Sequence, residues 1–226
     1  MASLAGQPCQ TGGVTSPRQR LQTARLYLVC DERPDEFVAA ALRGGVDVVQ
    51  LRMKDAPDAD IVATARRFAH VCAAQNTLFI LNDRPDLALA AGAHGVHLGQ
   101  DDAPVAEARA ALGAQAIIGL STHTPEQIEA ACEVDYIGVG PVHETPTKPG
   151  RPAVGLSLVA YAAAQAQVPF FAIGGINPGN VEAVRNAGAR RVAVVRALTE
   201  APDPESVARR LGMALDSRQE ALVGPA

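Results

Sequence analysis

The sequence predicts an α/β fold, a closed (β/α)8 barrel of the TIM type that forms a single domain. Eight short runs rich in apolar and β-branched residues recur along the chain, and each has the length of a strand. Ala-rich segments with apolar residues at helical spacing separate several of these runs, and strands that alternate with helices pair in parallel. The 226 residues show no shift in composition that would mark a second domain.

The predicted elements follow the hydrophobic pattern. The strands are predicted at residues 25–30, 46–52, 77–81, 95–98, 116–121, 135–140, 168–173 and 191–195. The clearest helical patterns are at residues 35–43, 58–74, 126–132, 180–187 and 205–215. The alternative architecture is an open Rossmann-type sheet, which would require a GxGxxG turn after the first strand. The segment Cys30–Asp35 reads CDERPD, so the closed barrel is favoured.

The two ends of the chain are predicted to lie outside the barrel. Residues 1–23 are rich in Gln, Thr, Ser and Gly and have no periodicity, which predicts a disordered leader. The barrel is predicted over residues 24–216, and residues 217–226 form a C-terminal tail. The leader has no apolar core typical of a signal peptide, and no apolar run approaches the roughly 18 to 20 residues that cross a bilayer. We therefore expect a soluble, cytoplasmic protein without a membrane partner.

Charge and cysteine usage exclude further classes. The net charge of -4, the pI of about 5.7 and the aromatic content of 4% argue against a nucleic-acid surface, which needs a basic stripe. The four cysteines are widely spaced, without a CxxC pair, so neither a zinc site nor a disulfide framework is indicated. No segment marks an interface, and a homo-oligomer stays open.

Cationic side chains follow the second predicted strand. In a (β/α)8 barrel the catalytic groups stand at the carboxyl ends of the strands. The strand ends in Gln50-Leu-Arg52-Met-Lys54, and alternation points Gln50, Arg52 and Lys54 into the barrel mouth. Two cations beside an amide are typical of a site for a phosphorylated ligand. The alternative is an internal charge pair with a structural role.

Carboxylates follow the next two strands. Asn82 and Asp83 end the third strand, and Asp101 and Asp102 come after the fourth. Asp83 together with Asp101 or Asp102 could hold Mg²⁺ through oxygen ligands, with positions left for water and phosphate oxygens. The alternative is that Asn82-Asp83 caps the helical run that begins at Pro85.

Strands five and six lead into polar loops. Ser121 lies in the predicted mouth and is a candidate contact, whereas Thr124 is the predicted N-cap of a capping box with Gln127. After strand six comes a segment with four prolines, Pro141 to Pro152, that also carries side chains suited to an anion. These donors are Thr145, Thr147, Lys148 and Arg151. The alternative for this segment is a Pro-rich surface connection.

Small residues and backbone groups follow the last two strands. Strand seven ends in the turn Gly174-Gly175, and strand eight ends in Val195-Arg196. Backbone N–H groups at these two strand ends form a recurrent phosphate site in barrels of this type. The sequence thus predicts two anion sites, one beside a metal at strands two to four and one at strands seven and eight. Two phosphorylated substrates, one of them a diphosphate, would explain this pairing.

Residues 24–215 resemble the thiamine phosphate synthase family. Each motif that carries the resemblance is weak alone, but seven in the same order are specific. They are Val49-Gln-Leu-Arg-Met-Lys54, Leu81-Asn-Asp-Arg84, Gly95-Val-His-Leu-Gly-Gln-Asp-Asp102, Gly119-Leu-Ser-Thr-His123, Thr145-Pro-Thr-Lys148, Ala172-Ile-Gly-Gly-Ile176 and Val194-Val-Arg-Ala-Leu-Thr199.

The resemblance implies a role for each matching residue. It places the aminopyrimidine diphosphate on Gln50, Leu51, Arg52, Met53, Lys54, Asn82, Ser121 and Lys148. It places the thiazole phosphate on Thr145, Pro146, Thr147, Gly175, Val195 and Arg196. It further implies that Asp83 and Asp102 bind Mg²⁺, and that Arg52, Lys54 and Lys148 act in catalysis. The implied reaction is a dissociative displacement, in which diphosphate leaves the pyrimidine methylene and the thiazole nitrogen captures the cation.

Two positions depart from the family pattern. Met53 stands where many members have an acidic residue, but alternation points it away from the mouth. Arg196 stands where many have Ser, and we hypothesise that its side chain adds a charge-assisted bond to phosphate. The histidines are interpreted as mostly structural, with His97 near the metal and with no role assigned to His123 or His143.

Three other functions compete with a synthase. A thiazole tautomerase of the same fold would not need the cations together with two metal carboxylates and the Thr-Pro-Thr-Lys loop. A non-catalytic phosphate-binding barrel could keep the binding residues without turnover. A sugar-phosphate isomerase or epimerase would require an acid/base pair and a single phosphate site, which the cations of strand two fit poorly.

Overall fold

Eight parallel strands close into a barrel. The computed structural model describes residues 15–145 and 152–216. The strands are β1 Leu26–Cys30, β2 Val48–Leu51, β3 Leu78–Asn82, β4 Gly95–Leu98, β5 Ile117–Thr122, β6 Tyr136–Val139, β7 Phe170–Ile173 and β8 Val192–Val194. Each strand pairs in parallel with the next, and β1 closes the ring by pairing Leu26 with Val192 of β8. The predicted (β/α)8 barrel is confirmed, and the open Rossmann-type sheet is excluded.

One helix precedes β1, and at least one helix follows each strand. The helices are α1 Pro17–Thr23, α2 Asp35–Arg43, α3 Asp58–Ala74, α4 Pro85–Ala88, α5 Val105–Leu112, α6 Pro125–Glu129, α7 Gly155–Gln165, α8 Val181–Asn186, α9 Arg196–Thr199 and α10 Pro204–Asp216. The bounds predicted for α2 and α3 agree with the structure, because both have long apolar stripes and acidic first turns. No helix within the two described ranges is long and apolar enough to cross a membrane.

Strand residues alternate between two apolar layers. Leu28, Val49 and Leu51 point outward and pack in the large core under the helices. Tyr27, Val48 and their neighbours point inward and fill the barrel, where three aromatic rings, those of Tyr27, Tyr136 and Phe171, meet edge-on or tilted at 5.2 to 5.8 Å between centroids. This inner layer is the floor on which the cavity at the carboxyl ends of the strands rests.

The predicted disordered leader is wrong for residues 17–23, which form α1. Ser16 caps this helix in a reciprocal capping box with Gln19. Leu21 is 1% exposed and packs with the inward-facing residues at the amino ends of the strands, while Arg18 Nε lies 2.8 Å from Asp135 Oδ1. A seven-residue helix is too short to show a period in sequence, and tertiary contacts of this kind stabilise it. The first 14 residues and the predicted tail at 217–226 lie outside the described residues.

Candidate active site at the carboxyl ends of the strands

A cavity of about 730 Å³ opens at the carboxyl ends of the strands. Every strand contributes to its wall, either through its last residues or through the loop that follows it. Most sequence-predicted site residues in the described ranges line this cavity, which agrees with the general placement of active sites in (β/α)8 barrels.

The end of β2 presents alternate side chains to the cavity, as predicted. Gln50, Arg52 and Lys54 line the cavity. Leu51 is fully buried in the outer core, and the side chain of Met53 packs against the same core. These two residues were also expected to bind the pyrimidine diphosphate, but from these positions they can reach a ligand in the cavity only through the backbone.

Two carboxyl groups meet at the ends of β3 and β4. Asp83 hydrogen-bonds to Asp102, whose Oδ2 accepts the backbone N–H of Gly99 at 2.6 Å. Burial, together with the hydrogen bond and charge of Asp102, raises the pKa of Asp83 to about 6. Lys54 Nζ, 3.6 Å from Asp83 Oδ2, opposes this rise. Of the two candidate partners for Asp83, the structure thus brings Asp102 against it, while Asp101 is exposed at the rim.

The alternative role of Asn82-Asp83 as a helix cap is wrong. The N-cap position of α4 is Arg84, and no side chain caps this helix. Asp83 instead has a left-handed backbone, with φ +60°, which is uncommon outside glycine and often found at functional sites. Asn82 lines the cavity and hydrogen-bonds to the Asp83 carboxylate, which opposes the rise in its pKa.

The opposite wall, after β7 and β8, is made of backbone and small residues. Gly174 and Gly175 both have positive φ, and a Cβ at Gly175 would lie 2.7 Å from the Cβ of His143. Only glycine fits this turn against the loop that follows β6. Val195 and Arg196 also line the cavity, but the Arg196 side chain is half exposed and its Nε lies 2.6 Å from Glu200 Oε1. The Arg196 side chain therefore pairs with an acidic neighbour at the rim.

The Pro-rich loop is described only at its two ends. Thr145 lines the cavity. Four further residues predicted from this loop lie outside the described residues, namely Pro146, Thr147, Lys148 and Arg151. His143 is half-buried beside Gly175, while His123 holds the end of β6 through a hydrogen bond of 2.5 Å between Nδ1 and the carbonyl oxygen of Gly140.

The N-cap predicted at Thr124 is confirmed. Its Oγ1 accepts the backbone N–H of Gln127 at 3.3 Å. The returning contact differs from the predicted box, because Gln127 Oε1 accepts the N–H of His123, one residue before the cap, at 2.7 Å. Ser121 is buried at the cavity wall, as predicted.

Sequence reasoning missed the polar groups on the cavity floor. Tyr27 and Tyr136 line the cavity, and their hydroxyl oxygens are 2.8 Å apart. His97, interpreted from sequence as mostly structural, lies between the Tyr136 hydroxyl and Ser121 Oγ, at 3.0 Å from each. The only signal in sequence was their inward register on the strands, which does not separate a packed tyrosine from a functional one.

The fold and the site together define a (β/α)8 barrel whose cavity has a carboxylate pair and cations on one wall and glycine turns on the other. A family model for thiamine monophosphate synthase matches residues 26–198. The chain belongs to this family, and the resemblance seen in its motifs is confirmed.

Relatives and a solved structure agree with this membership. A thiamine-phosphate synthase from Thermus thermophilus is 51% identical over 197 residues, which cover 83% of this chain and 95% of the relative. One from Nostoc punctiforme is 50% identical over 197 residues, or 85% of this chain and 56% of the relative. The chain thus spans little more than half the length of some curated relatives. A solved thiamine phosphate pyrophosphorylase from Pyrococcus furiosus is 31% identical, with a TM-score of 0.79, covering 88% of this chain and 96% of that one.

Proposed function

We propose that the protein joins 4-amino-2-methyl-5-(diphosphooxymethyl)pyrimidine to carboxythiazole (hydroxyethylthiazole) phosphate, giving thiamine phosphate and diphosphate. The observation that carries the proposal is the convergence of Arg52, Lys54 and the Asp83–Asp102 pair on one wall of a cavity. The opposite wall has a glycine turn suited to a phosphate. The names of close relatives support the same reaction.

The reaction places its largest demand on the leaving diphosphate. As the bond to the pyrimidine methylene breaks, negative charge grows on the diphosphate, and cations already in position lower the barrier. Arg52 and Lys54 are the described residues that meet this demand. Lys148, which the family resemblance adds to them, stays a prediction. The bond-forming step needs no protein nucleophile, because the thiazole nitrogen itself attacks the methylene.

Asp83 and Asp102 are the residues that would bind Mg²⁺. Two carboxyl groups held together by burial need either a shared proton or a cation, and their oxygen donors suit Mg²⁺. In the described residues no group of three or more His, Cys, Asp or Glu side chains could hold a metal. Mg²⁺ commonly takes one or two carboxylates, with water and phosphate oxygens as its other ligands. When bound, the ion would neutralise charge on the diphosphate.

The thiazole phosphate is assigned to the other wall. Thr145 lies at the cavity and Gly175 forms the tight turn, while Val195 and Arg196 border it. Backbone N–H groups at such turns bind phosphate without adding net charge. Thr147 and Pro146 stay predictions, as does a cytoplasmic location.

Diphosphate release by the purified chain tests the proposal. The protein is supplied with the pyrimidine diphosphate and Mg²⁺, with and without the thiazole phosphate. We expect release only with both substrates, and its loss on adding a chelator. No release, together with a change in thiazole absorbance when no pyrimidine is present, would instead identify a tautomerase. Binding of both substrates without any product would identify a non-catalytic barrel.

A further inference from the structure

Five side chains form a continuous chain of hydrogen bonds across the floor of the cavity. Gln50 Nε2 donates to the Tyr27 hydroxyl at 2.8 Å, and the Tyr27 and Tyr136 hydroxyls are also 2.8 Å apart. Tyr136 OH lies 3.0 Å from His97 Nδ1, and His97 Nε2 lies 3.0 Å from Ser121 Oγ. We call this chain, from Gln50 to Ser121, the floor relay.

Four of the five residues of the relay are shielded from water, and His97 is half-buried. The exposed fraction is 3% for Gln50, 2% for Tyr27, 0% for Tyr136 and 8% for Ser121. A buried hydroxyl or imidazole that loses its partner cannot replace it with solvent, so each bond constrains the next. Burial also raises the pKa of both tyrosines, which keeps their hydroxyls protonated.

Neighbouring glycines make room for the rings of the relay. A Cβ at Gly119 would overlap the ring of Tyr136, and a Cβ at Gly138 would come within 3.4 Å of His97 Cε1. The His97 and Tyr136 rings lie with centroids 5.5 Å apart at an angle of 32°. A larger residue at Gly119 would therefore displace the Tyr136 ring, whereas a Cβ at Gly138 would make an ordinary van der Waals contact with His97.

The protons available on each group determine which group donates each hydrogen bond of the relay. The Gln50 amide nitrogen can only donate, so the Tyr27 oxygen accepts from it. Either tyrosine could donate to the other, but only donation from Tyr27 to Tyr136 gives the Tyr27 proton an acceptor within the relay. In the same arrangement Tyr136 donates to His97 Nδ1, which requires the neutral tautomer with its proton on Nε2, and Nε2 then donates to Ser121. Two consequences reach the cavity: Gln50 keeps its Oε1 as an acceptor for a ligand, and the Ser121 hydroxyl proton is left to be donated.

We propose that Tyr27, Tyr136 and His97 are positioning residues that set the hydrogen-bond polarity of Gln50 and Ser121, and that the cavity thereby selects an aminopyrimidine over its oxo analogue. The inference rests on the proposed function and adds the basis of its ring specificity. Gln50 Oε1 accepts from the amino group of the ring, while Ser121 donates to a ring nitrogen. An oxo group would set one acceptor against another at Gln50, and correcting this would require every bond of the relay to reverse.

The discriminating measurement is the ratio of two binding constants. Titration calorimetry with the full chain and Mg²⁺ gives the affinity for the aminopyrimidine diphosphate and for the diphosphate of its 4-oxo analogue. We expect the wild type to bind the amino compound about 100-fold more tightly than the oxo compound. Tyr136→Phe removes only the hydroxyl, and it should bind the amino compound less than about 10-fold more tightly than the oxo compound. Tyr27→Phe cuts the relay at its other tyrosine and should narrow the ratio similarly, which provides a second variant if the first does not fold.

A matched control variant tests whether the loss of a tyrosine hydroxyl outside the relay also changes the affinity ratio. Tyr161→Phe removes a hydroxyl that bonds to Glu129 on the outer helices, and its ratio should equal that of the wild type. A purely structural role for the relay would weaken both ligands equally and leave the ratio unchanged. A wild-type ratio in both folded relay variants would overturn the inference while leaving the proposed function intact. If the wild type binds neither diphosphate, the proposed function fails and the inference fails with it.

Discussion

The two walls of the cavity are built from different chemical groups. The wall formed after β2, β3 and β4 carries charged side chains, namely Arg52, Lys54, Asp83 and Asp102. The wall formed after β7 and β8 presents the turn at Gly174 and Gly175 and the chain around Val195, with one cation that is already paired.

This difference matches two demands of the proposed reaction. A diphosphate that leaves gains charge during the reaction, and full charges in fixed positions stabilise this change. A phosphate that only anchors its substrate keeps a constant charge, and backbone N–H groups are sufficient for it. The charged wall should therefore affect turnover, whereas the glycine wall should affect substrate binding.

The largest effect is expected for Arg52→Ala. We expect kcat/KM to fall by about 1000-fold, mainly through kcat, because a cation facing the leaving diphosphate is lost. The KM for the thiazole phosphate should stay unchanged. Steady-state diphosphate release measures both quantities. Arg66→Ala is the control, since Arg66 is an exposed arginine on α3 that bonds to the carbonyl oxygen of Ala90. A rise in KM for the thiazole phosphate alone would contradict the assignment of Arg52.

Asp83→Asn should lower kcat/KM by about 100-fold and remove the dependence on Mg²⁺, because one of two metal carboxylates is lost. The activity is measured by diphosphate release over a range of Mg²⁺ concentrations. Leu89→Asn, on an exposed residue after α4, controls for the new amide. An unchanged Mg²⁺ dependence would argue against Asp83 as a ligand.

The same substitution should change how stability depends on pH. The folded pKa of Asp83 is raised to about 6, above its ordinary value, so the protonated group stabilises the fold at low pH. This contribution is complete below the unfolded pKa and is lost as the pH rises through about 6. Allowing for solvent screening, metal-free Asp83→Asn should gain about 1 kcal/mol in free energy of unfolding relative to wild type at about pH 7.5, and little at about pH 4. Denaturant unfolding in chelator measures it, and an equal gain at both pH values would refute this account.

Gly175→Ala should raise the KM for the thiazole phosphate by about 10-fold with kcat nearly unchanged, because the turn must move to accommodate the new Cβ. Gly113→Ala is the matched control. Gly113 has φ +84°, and a Cβ added there would have no atom within 4 Å, so this variant tests left-handed strain without the clash. It should lose about 1 kcal/mol of stability and keep both KM values. A larger change in the KM for the pyrimidine diphosphate would contradict the division between the two walls.

The smallest effect is expected for Arg196→Ala. Its side chain is 51% exposed and pairs with Glu200, so the KM for the thiazole phosphate should rise only about 3-fold. Arg209→Ala removes a similar i,i+4 pair, with Glu205, on α10 and should leave the KM unchanged. If Arg196→Ala also has no effect, the hypothesis of a side-chain bond to phosphate is wrong and any contact there is through the backbone.

Short-range patterns predicted much of the site. The period of two on β2 correctly separated Gln50, Arg52 and Lys54 from Leu51 and Met53, because alternation depends only on the backbone of one strand. The repeat of strands and helices predicted the barrel, and the barrel in turn indicated which end of each strand to examine.

Other features depended on distances between segments far apart in sequence. The choice of Asp102 over Asp101 required the position of Asp83, and α1 required the amino ends of the strands on which Leu21 packs. The floor relay joins residues on β1, β2, β4, β5 and β6, and no spacing in sequence encodes such a contact.

By itself, the sequence determined the class of fold, the family and the side chains at the strand ends, since periodicity and motif order are local properties of the chain. Only the tertiary structure decided which carboxylates pair, which glycine turn excludes a side chain, and which buried hydroxyls are joined by hydrogen bonds. The physical reason is that hydrogen bonds and raised pKa values depend on ångström distances and burial, and these exist only once the barrel has closed.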